Sequence, residues 1–171
     1  MLEKAVLVEA PPDEVWTAWT TIEGVRRFFA EDARLDIRPH GAYEILFEVL
    51  SPPGRQGSEG SKVLSLVPGR MLSFTWGAPP DFPKSRKELA QWVVVFFDPV
   101  GESQTLVRLV ELGWKQGAEG EAVYRYFDRA WSVVLARLAR SFTNGPIDWR
   151  NPWHPGKDQF PAKTDVPGNT V

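Results

Sequence analysis

The chain has 171 residues, 43% of them hydrophobic and 25% charged, with a formal net charge of −2. That profile suits one domain with a proper core, and with no basic stripe it argues against nucleic acid as a partner. Cysteine is absent, which excludes disulfides, thiolate metal sites and a cysteine nucleophile. No segment approaches the roughly 20 consecutive apolar residues that span a bilayer. The opening MLEKAVLVEA lacks the charged head and long apolar run of a signal peptide, so the expectation is no membrane span and a cytoplasmic address.

Residues 2–9 read as a short strand. Pro11 and Pro12 end it and pre-set a helix start. Val15, Trp16 and Trp19 lie at helical spacing on a first short helix. Thr20-Thr21-Ile22-Glu23 has the pattern of a capping box and predicts a second helix running to Phe28 and Phe29. Two adjacent aromatics point in different directions, so one is expected in the core and one at a gate over whatever lies beneath. From Asp32 the period becomes two. Ala33, Leu35 and Ile37 alternate with charges, Pro39-His40-Gly41 turns the chain, and Tyr43, Ile45, Phe47 and Val49 share one strand face. Residues 51–58 read as a polar loop, 62–67 as a strand, 68–70 as a turn, and 71–76 as a strand with Leu72, Phe74 and Trp76 on one face. Residues 77–87 read as a loop. Strands at 91–97 and 105–112 follow.

The stretch 121–142 has helical periodicity in Val123, Phe127, Ala130, Val134 and Leu138, with a second row through Tyr126, Val133 and Arg137. Glu119 and Glu121 near its start and Arg137 and Arg140 near its end suit the helix dipole. Gly145 and Pro146 then stop it. Strands joined by short turns imply an antiparallel sheet. The expected fold is α+β: a curved antiparallel sheet wrapped around one long C-terminal helix, with two short helices after the first strand. A cavity remains wherever sheet and helix do not meet.

The ordered set Pro11-Pro12-Asp13-Glu14-Val15-Trp16, Trp19-Thr20, Arg38-Pro39-His40-Gly41-Ala42-Tyr43, Gly60, Pro68 with Arg70, Phe74-Thr75-Trp76, Val93–Phe97 and Gly113-Trp114 resembles homologues of the heat-shock-protein-90 ATPase activator. The likeness covers residues 1–142 and implies the wider START-like, helix-grip superfamily. It implies a cavity for a small hydrophobic ligand such as a lipid, sterol or polyketide. His40 departs from the family pattern, standing where the turn usually has a second glycine. Glu111 departs too, standing where many relatives have histidine or another polar residue.

In that architecture Trp19, Phe28, Phe29, Ile45, Phe47, Phe74, Trp76, Val95, Phe97, Leu109, Phe127 and Trp131 are candidate ligand-contacting residues, with Tyr43, Glu111 and Tyr126 as polar contacts. The tyrosines read as core aromatics with their hydroxyls at the rim. Glu111 has two readings. It shares an inward face with Val107 and Leu109, where desolvation would raise its pKa; its place at the strand's end favours a side chain in solvent. The only histidines are His40, an exposed turn residue by this reading, and His154. No metal site, cofactor motif or Gly-x-Ser-x-Gly elbow is present, and residues 54–60 lack the lysine and following helix of a phosphate loop. Neither a catalytic residue nor a cofactor is expected. The leading function is non-catalytic binding of a small hydrophobic ligand between sheet and helix. The alternatives are a cyclase- or dehydratase-type enzyme using Glu111, and a chaperone-associated interaction module.

Trp92, Val94 and Phe96, with Leu106, Val110 and Leu112, make the sheet's outer face apolar, which calls for a cover. One candidate is the extension 143–171, with Ile147, Trp149, Trp153 and Phe160 among prolines and glycines. The other is a second subunit, giving a homodimer through strands 91–97 and 105–112.

Overall fold

The computed structural model describes residues 1–88 and 91–156. Its first strand, β1 (Leu2–Val8), leads into α1 (Pro12–Thr20) and α2 (Ile22–Phe28). Pro12 opens α1 because the first turn has no use for its missing N–H, and Asp13 and Glu14 sit at the positive end of the dipole. The cap of α2 is one residue later than the sequence pattern predicts. Thr21 Oγ1 accepts from the Gly24 amide at 3.0 Å, while the Thr20 hydroxyl donates back to the Trp16 carbonyl within α1. Gly24 itself is required by close approach: a Cβ there would run into the Thr17 carbonyl and the Ala18 backbone. The two short helices therefore pack backbone to backbone.

Five strands form one antiparallel sheet in the order β1-β7-β6-β5-β4, with β4 at Val63–Val67, β5 at Met71–Trp76, β6 at Gln91–Val100 and β7 at Gln104–Leu112. The first strand thus pairs with the last, from Leu2 opposite Glu111 to Val8 opposite Thr105. A separate hairpin of β2 (Asp32–Leu35) and β3 (Tyr43–Leu46) meets the edge of β4 through an isolated bridge, Ala42 to Lys62. The Tyr43 amide donates to the Ser61 carbonyl beside it. The long helix α4 (Ala118–Asn144) lies against the inner face. This is the expected curved antiparallel sheet around one C-terminal helix.

Several boundaries differ from the periodicity. β3 stops at Leu46 rather than Val49, because the Phe47 and Glu48 amides both donate to the Gln56 carbonyl and the chain folds into a local loop. β2 stops at Leu35, where the Asp36 amide turns to the Ala42 carbonyl. The expected loop 77–87 contains a further helix, α3 (Pro83–Glu88). Long-range bonds hold it: the Ser85 amide and hydroxyl both donate to Glu119 Oε1, at 3.0 and 2.9 Å. On α4 the row Val123, Phe127, Val134 and Leu138 is buried as expected; of the second row Arg137 is buried, but Trp131 and Leu135 rather than Tyr126 and Val133 accompany it. Tyr126 is 41% exposed.

The core runs from the α1–α2 pair across the inner sheet face to α4. Trp19, Phe28, Phe74, Phe97 and Trp131 are all essentially inaccessible, and each fully buried ring of this kind contributes about 1.5–3 kcal/mol. Phe28 and Phe29 are both buried and stack on each other at 5.4 Å, so neither is a surface gate. The described part of the C-terminal extension packs on α2 and α4 and does not lie on the outer sheet face. The Ile147 amide donates to the Arg27 carbonyl at 2.9 Å, and Trp149 Nε1 donates to the Arg26 carbonyl at 2.6 Å. Arg137 stacks on Trp149 and donates to the Trp153 carbonyl, while Arg140 stacks on Trp153. Phe160 lies outside the described residues. On the outer face Trp92 is 39% exposed, and Val94, Phe96, Leu106, Val110 and Leu112 are half-buried.

Candidate binding chamber

Between the loops that follow β3 and β5 and the face of α4, the sheet and the helix do not close on each other. A chamber of about 220 Å³ remains. Its inner wall is aromatic. Phe29 arrives from the C-terminal end of α2, Trp76 from the end of β5, and Phe127 and Trp131 from successive turns of α4. Phe29 stacks on Trp76 with centroids 6.0 Å apart, and Trp76 lies 5.4 Å from Trp131. Phe127 stacks on Trp131 at 6.4 Å. Such offset and tilted contacts are those aromatic rings prefer, so the wall is pre-organised. Ala130 and Val134 complete the floor along α4.

The mouth is built from loops. Phe47 stands at the lip, 39% exposed, rather than on the interior strand face where alternation places it. The cause is the early end of β3. Gln56, Gly57 and Ser58 form one side, and Gly77, Pro79 and Pro80 the other. Gly57 is needed for close approach, since a Cβ would collide with the Ile45 carbonyl. Glu59 holds the loop: its carboxylate accepts from the amides of Gln56 and Gly57 at 2.8 and 2.9 Å and from Arg86 at 2.9 Å. Burial opposes ionisation of Glu59, but those amides and the Arg86 charge outweigh it and leave the pKa below its ordinary value. Tyr126 covers the remaining side. Burial raises the pKa of its hydroxyl, and Asp81 adds to the effect.

Six of the sequence-predicted residues therefore come together on the chamber wall: Phe29, Phe47, Trp76, Tyr126, Phe127 and Trp131. The others lie elsewhere. Trp19 and Phe28 pack on each other beneath the chamber, with Phe97 beside Trp19. Ile45, Val95 and Leu109 are sealed in the core. Tyr43 stacks on Phe74 at 4.2 Å, and its hydroxyl, far from any rim, donates to the Trp19 carbonyl at 2.9 Å. Burial raises that hydroxyl's pKa strongly.

Glu111 is fully buried, not in solvent at a strand end. Leu2 on β1 and Val93 on β6 flank it in the sheet, and Trp131 covers it from α4. Trp131 Nε1 donates to Glu111 Oε2 at 2.7 Å, and Oε1 has no partner. Burial pushes the pKa of this carboxyl up to about 8, against the smaller pull of the indole hydrogen bond. It is thus mostly protonated at neutral pH. Glu111 is one layer behind the chamber, with Trp131 between. Among the described residues, no group of three His, Cys, Asp or Glu could hold a metal ion, and no helix is long and apolar enough to cross a membrane.

Sequence reasoning missed the polar side of the mouth, namely Glu48, Arg55, Gln56 and Arg86. Residues 54–60 carry the available signal, a charged and glycine-rich loop.

The chain matches the model of the family described as activator of Hsp90 ATPase homolog 1-like protein over residues 9–143. It belongs to that family. Several solved structures share the fold over most of the chain. The Aha1 dimer from Colwellia psychrerythraea is 21% identical with a TM-score of 0.61, over 84% of this chain and 96% of that one. Protein BH1534 from Bacillus halodurans is 25% identical with a TM-score of 0.59, over 81% of this chain and 93% of that one. DynU16, from the dynemicin biosynthetic locus, is 20% identical with a TM-score of 0.62, over 85% of this chain and 48% of that one. No curated protein matches the chain.

Proposed function

We propose that this member of the activator of Hsp90 ATPase homolog 1-like family binds a small hydrophobic molecule in the aromatic chamber and performs no chemistry on it. The observation that carries the reading is the chamber itself, about 220 Å³ and walled by Phe29, Phe47, Trp76, Phe127 and Trp131. Its volume is below the ~300–1,000 Å³ of pockets for drug-sized ligands, so the ligand is small. Each ~100 Å² of apolar ligand surface removed from water is worth about 2.5 kcal/mol. The similarity to a protein of a natural-product biosynthetic locus is in keeping with such a ligand. The enzymatic alternative is weaker because Trp131 separates Glu111 from the chamber.

The test uses 1-octanol as a neutral apolar probe. It should quench or shift the fluorescence of Trp76 and Trp131 saturably, and Ala130→Phe, which fills the floor, should abolish the response while leaving the fold intact by circular dichroism. No saturable response in the wild-type protein, or an undiminished one in Ala130→Phe, would refute the reading.

The outer sheet face favours a second, compatible property, homodimerisation through β6 and β7. Trp92, Val94, Phe96, Leu106 and Val110 form an apolar row, interrupted by Arg108, which itself lies over the Phe96 ring at 4.8 Å. The similar Colwellia protein is a dimer. Sedimentation equilibrium should give twice the chain mass for the wild type and the single mass for Val94→Glu/Val110→Glu. A wild type that is monomeric at tens of micromolar excludes the dimer.

A further inference from the structure

The charged groups at the mouth of the chamber are not equivalent. Arg86 is consumed in building the rim: it donates to the carbonyls of Ala78, Gly54 and Gly57 at 2.8–3.0 Å and to Glu59 Oε2 at 2.9 Å. Glu59 is consumed with it. Arg55 is different. Its side chain is exposed, and among the described residues its guanidinium has no ion pair and no hydrogen bond. Yet it lines both the chamber and the shallower depression that adjoins it, where Lys87 also lies. Among the described residues, Glu48 is the carboxylate on the chamber's own wall, and it is not in ion-pair contact with Arg55.

We infer that the ligand is an amphiphile with one carboxylate head, its apolar body among Phe29, Trp76 and Trp131 and its head at Arg55. This rests on the binding reading above and narrows it. An ionised carboxylate does not follow its chain into an aromatic chamber, because the interior offers nothing to replace its hydration. The head therefore stays at the mouth, where a guanidinium presents two parallel N–H donors matched to a carboxylate. Lys87 adds a second positive charge from the adjoining depression, and Glu48 opposes it from the lip. The neutral wall behind then binds whatever apolar body reaches it, and the charge at the mouth selects among such bodies.

Calorimetric titration of the intact protein at pH 7 and low salt, with octanoate and with 1-octanol, separates the two claims. Arg55→Gln should weaken octanoate about two- to fivefold, the size of an exposed charge pair, and leave 1-octanol unchanged. Glu48→Gln should tighten octanoate alone, and added salt should weaken octanoate alone. If both ligands bind the wild type but Arg55→Gln affects neither, or affects both equally, the carboxylate assignment is overturned and the binding reading stands. If neither ligand binds the wild type, both fall together.

Discussion

Trp131 Nε1 and Glu111 Oε2 lie 2.7 Å apart, and that hydrogen bond ties the chamber's inner wall to a carboxyl sealed in the sheet. The indole ring faces the chamber and its N–H faces away from it, so the hydrogen bond fixes the ring against the acid behind. A protonated Glu111 accepts this bond and remains neutral in an apolar setting. An ionised Glu111 leaves Oε1 charged and unpartnered.

Stability should therefore fall with rising pH. The folded-state pKa of Glu111 is raised to about 8 from its ordinary 4.5, so the folded protein holds a proton that the unfolded chain releases. The contribution is fully present below pH ~4.5 and is lost as the pH rises to about 8, at a slope of at most about 1.4 kcal/mol per pH unit. Glu111→Gln keeps an acceptor for Trp131 and cannot ionise. Its melting temperature should exceed that of the wild type at pH 8 and lack this descent. Parallel curves for the two proteins between pH 5 and 8 would show that Glu111 does not titrate there.

His40 occupies the left-handed region, with φ 66°, and is the only non-glycine residue to do so among the described residues. Its amide donates to the Val63 carbonyl at 2.9 Å, which a glycine would preserve. An L-residue in that conformation is strained by about 1–2 kcal/mol, partly offset by the entropy a glycine loses on folding. His40→Gly should raise stability by up to about 1 kcal/mol in urea titration, and His40→Val should lower it. A loss of stability in His40→Gly would mean the imidazole makes a compensating contribution.

The C-terminal extension should contribute to the stability of the α2–α4 junction. Ile147 is buried, Trp149 is bonded to the Arg26 carbonyl, and Arg137, its pKa lowered by burial, is enclosed by Trp149 and Trp153. Deleting residues 146–171 should lower the melting temperature, and Trp149→Ala alone should cost about 1 kcal/mol through the lost hydrogen bond and ring contact. A truncated protein that melts with the full chain would remove the extension from the fold's energetics.

Much of this architecture was legible from periodicity. The alternation of Leu72, Phe74 and Trp76, and the three-four spacing of Val123, Phe127, Val134 and Leu138, report which face each element buries. These signals are local, because side-chain direction follows from backbone geometry. The same reasoning placed α1 behind Pro11-Pro12. It failed at α3, whose helix is held by Glu119 from 34 residues away, and at the Thr21 cap, where the spacing to Glu23 pointed to Thr20 instead.

The chamber was only half legible. Alternation identified Trp76 and the helical period identified Phe127, but no period says where a sheet and a helix stop touching. That depends on β3 ending at Leu46, on Gly57 passing close to Ile45, and on Arg86 gathering three carbonyls from two loops. Glu111 shows the same division. Its place on the inward face of β7 follows from alternation with Val107 and Leu109, and the sequence alone decides that. Whether the strand's end is wet or dry is decided by Trp131 lying across it, and by β1 closing the sheet beside it. Burial of a charge is a property of everything packed around it, and only the tertiary structure assembles those neighbours.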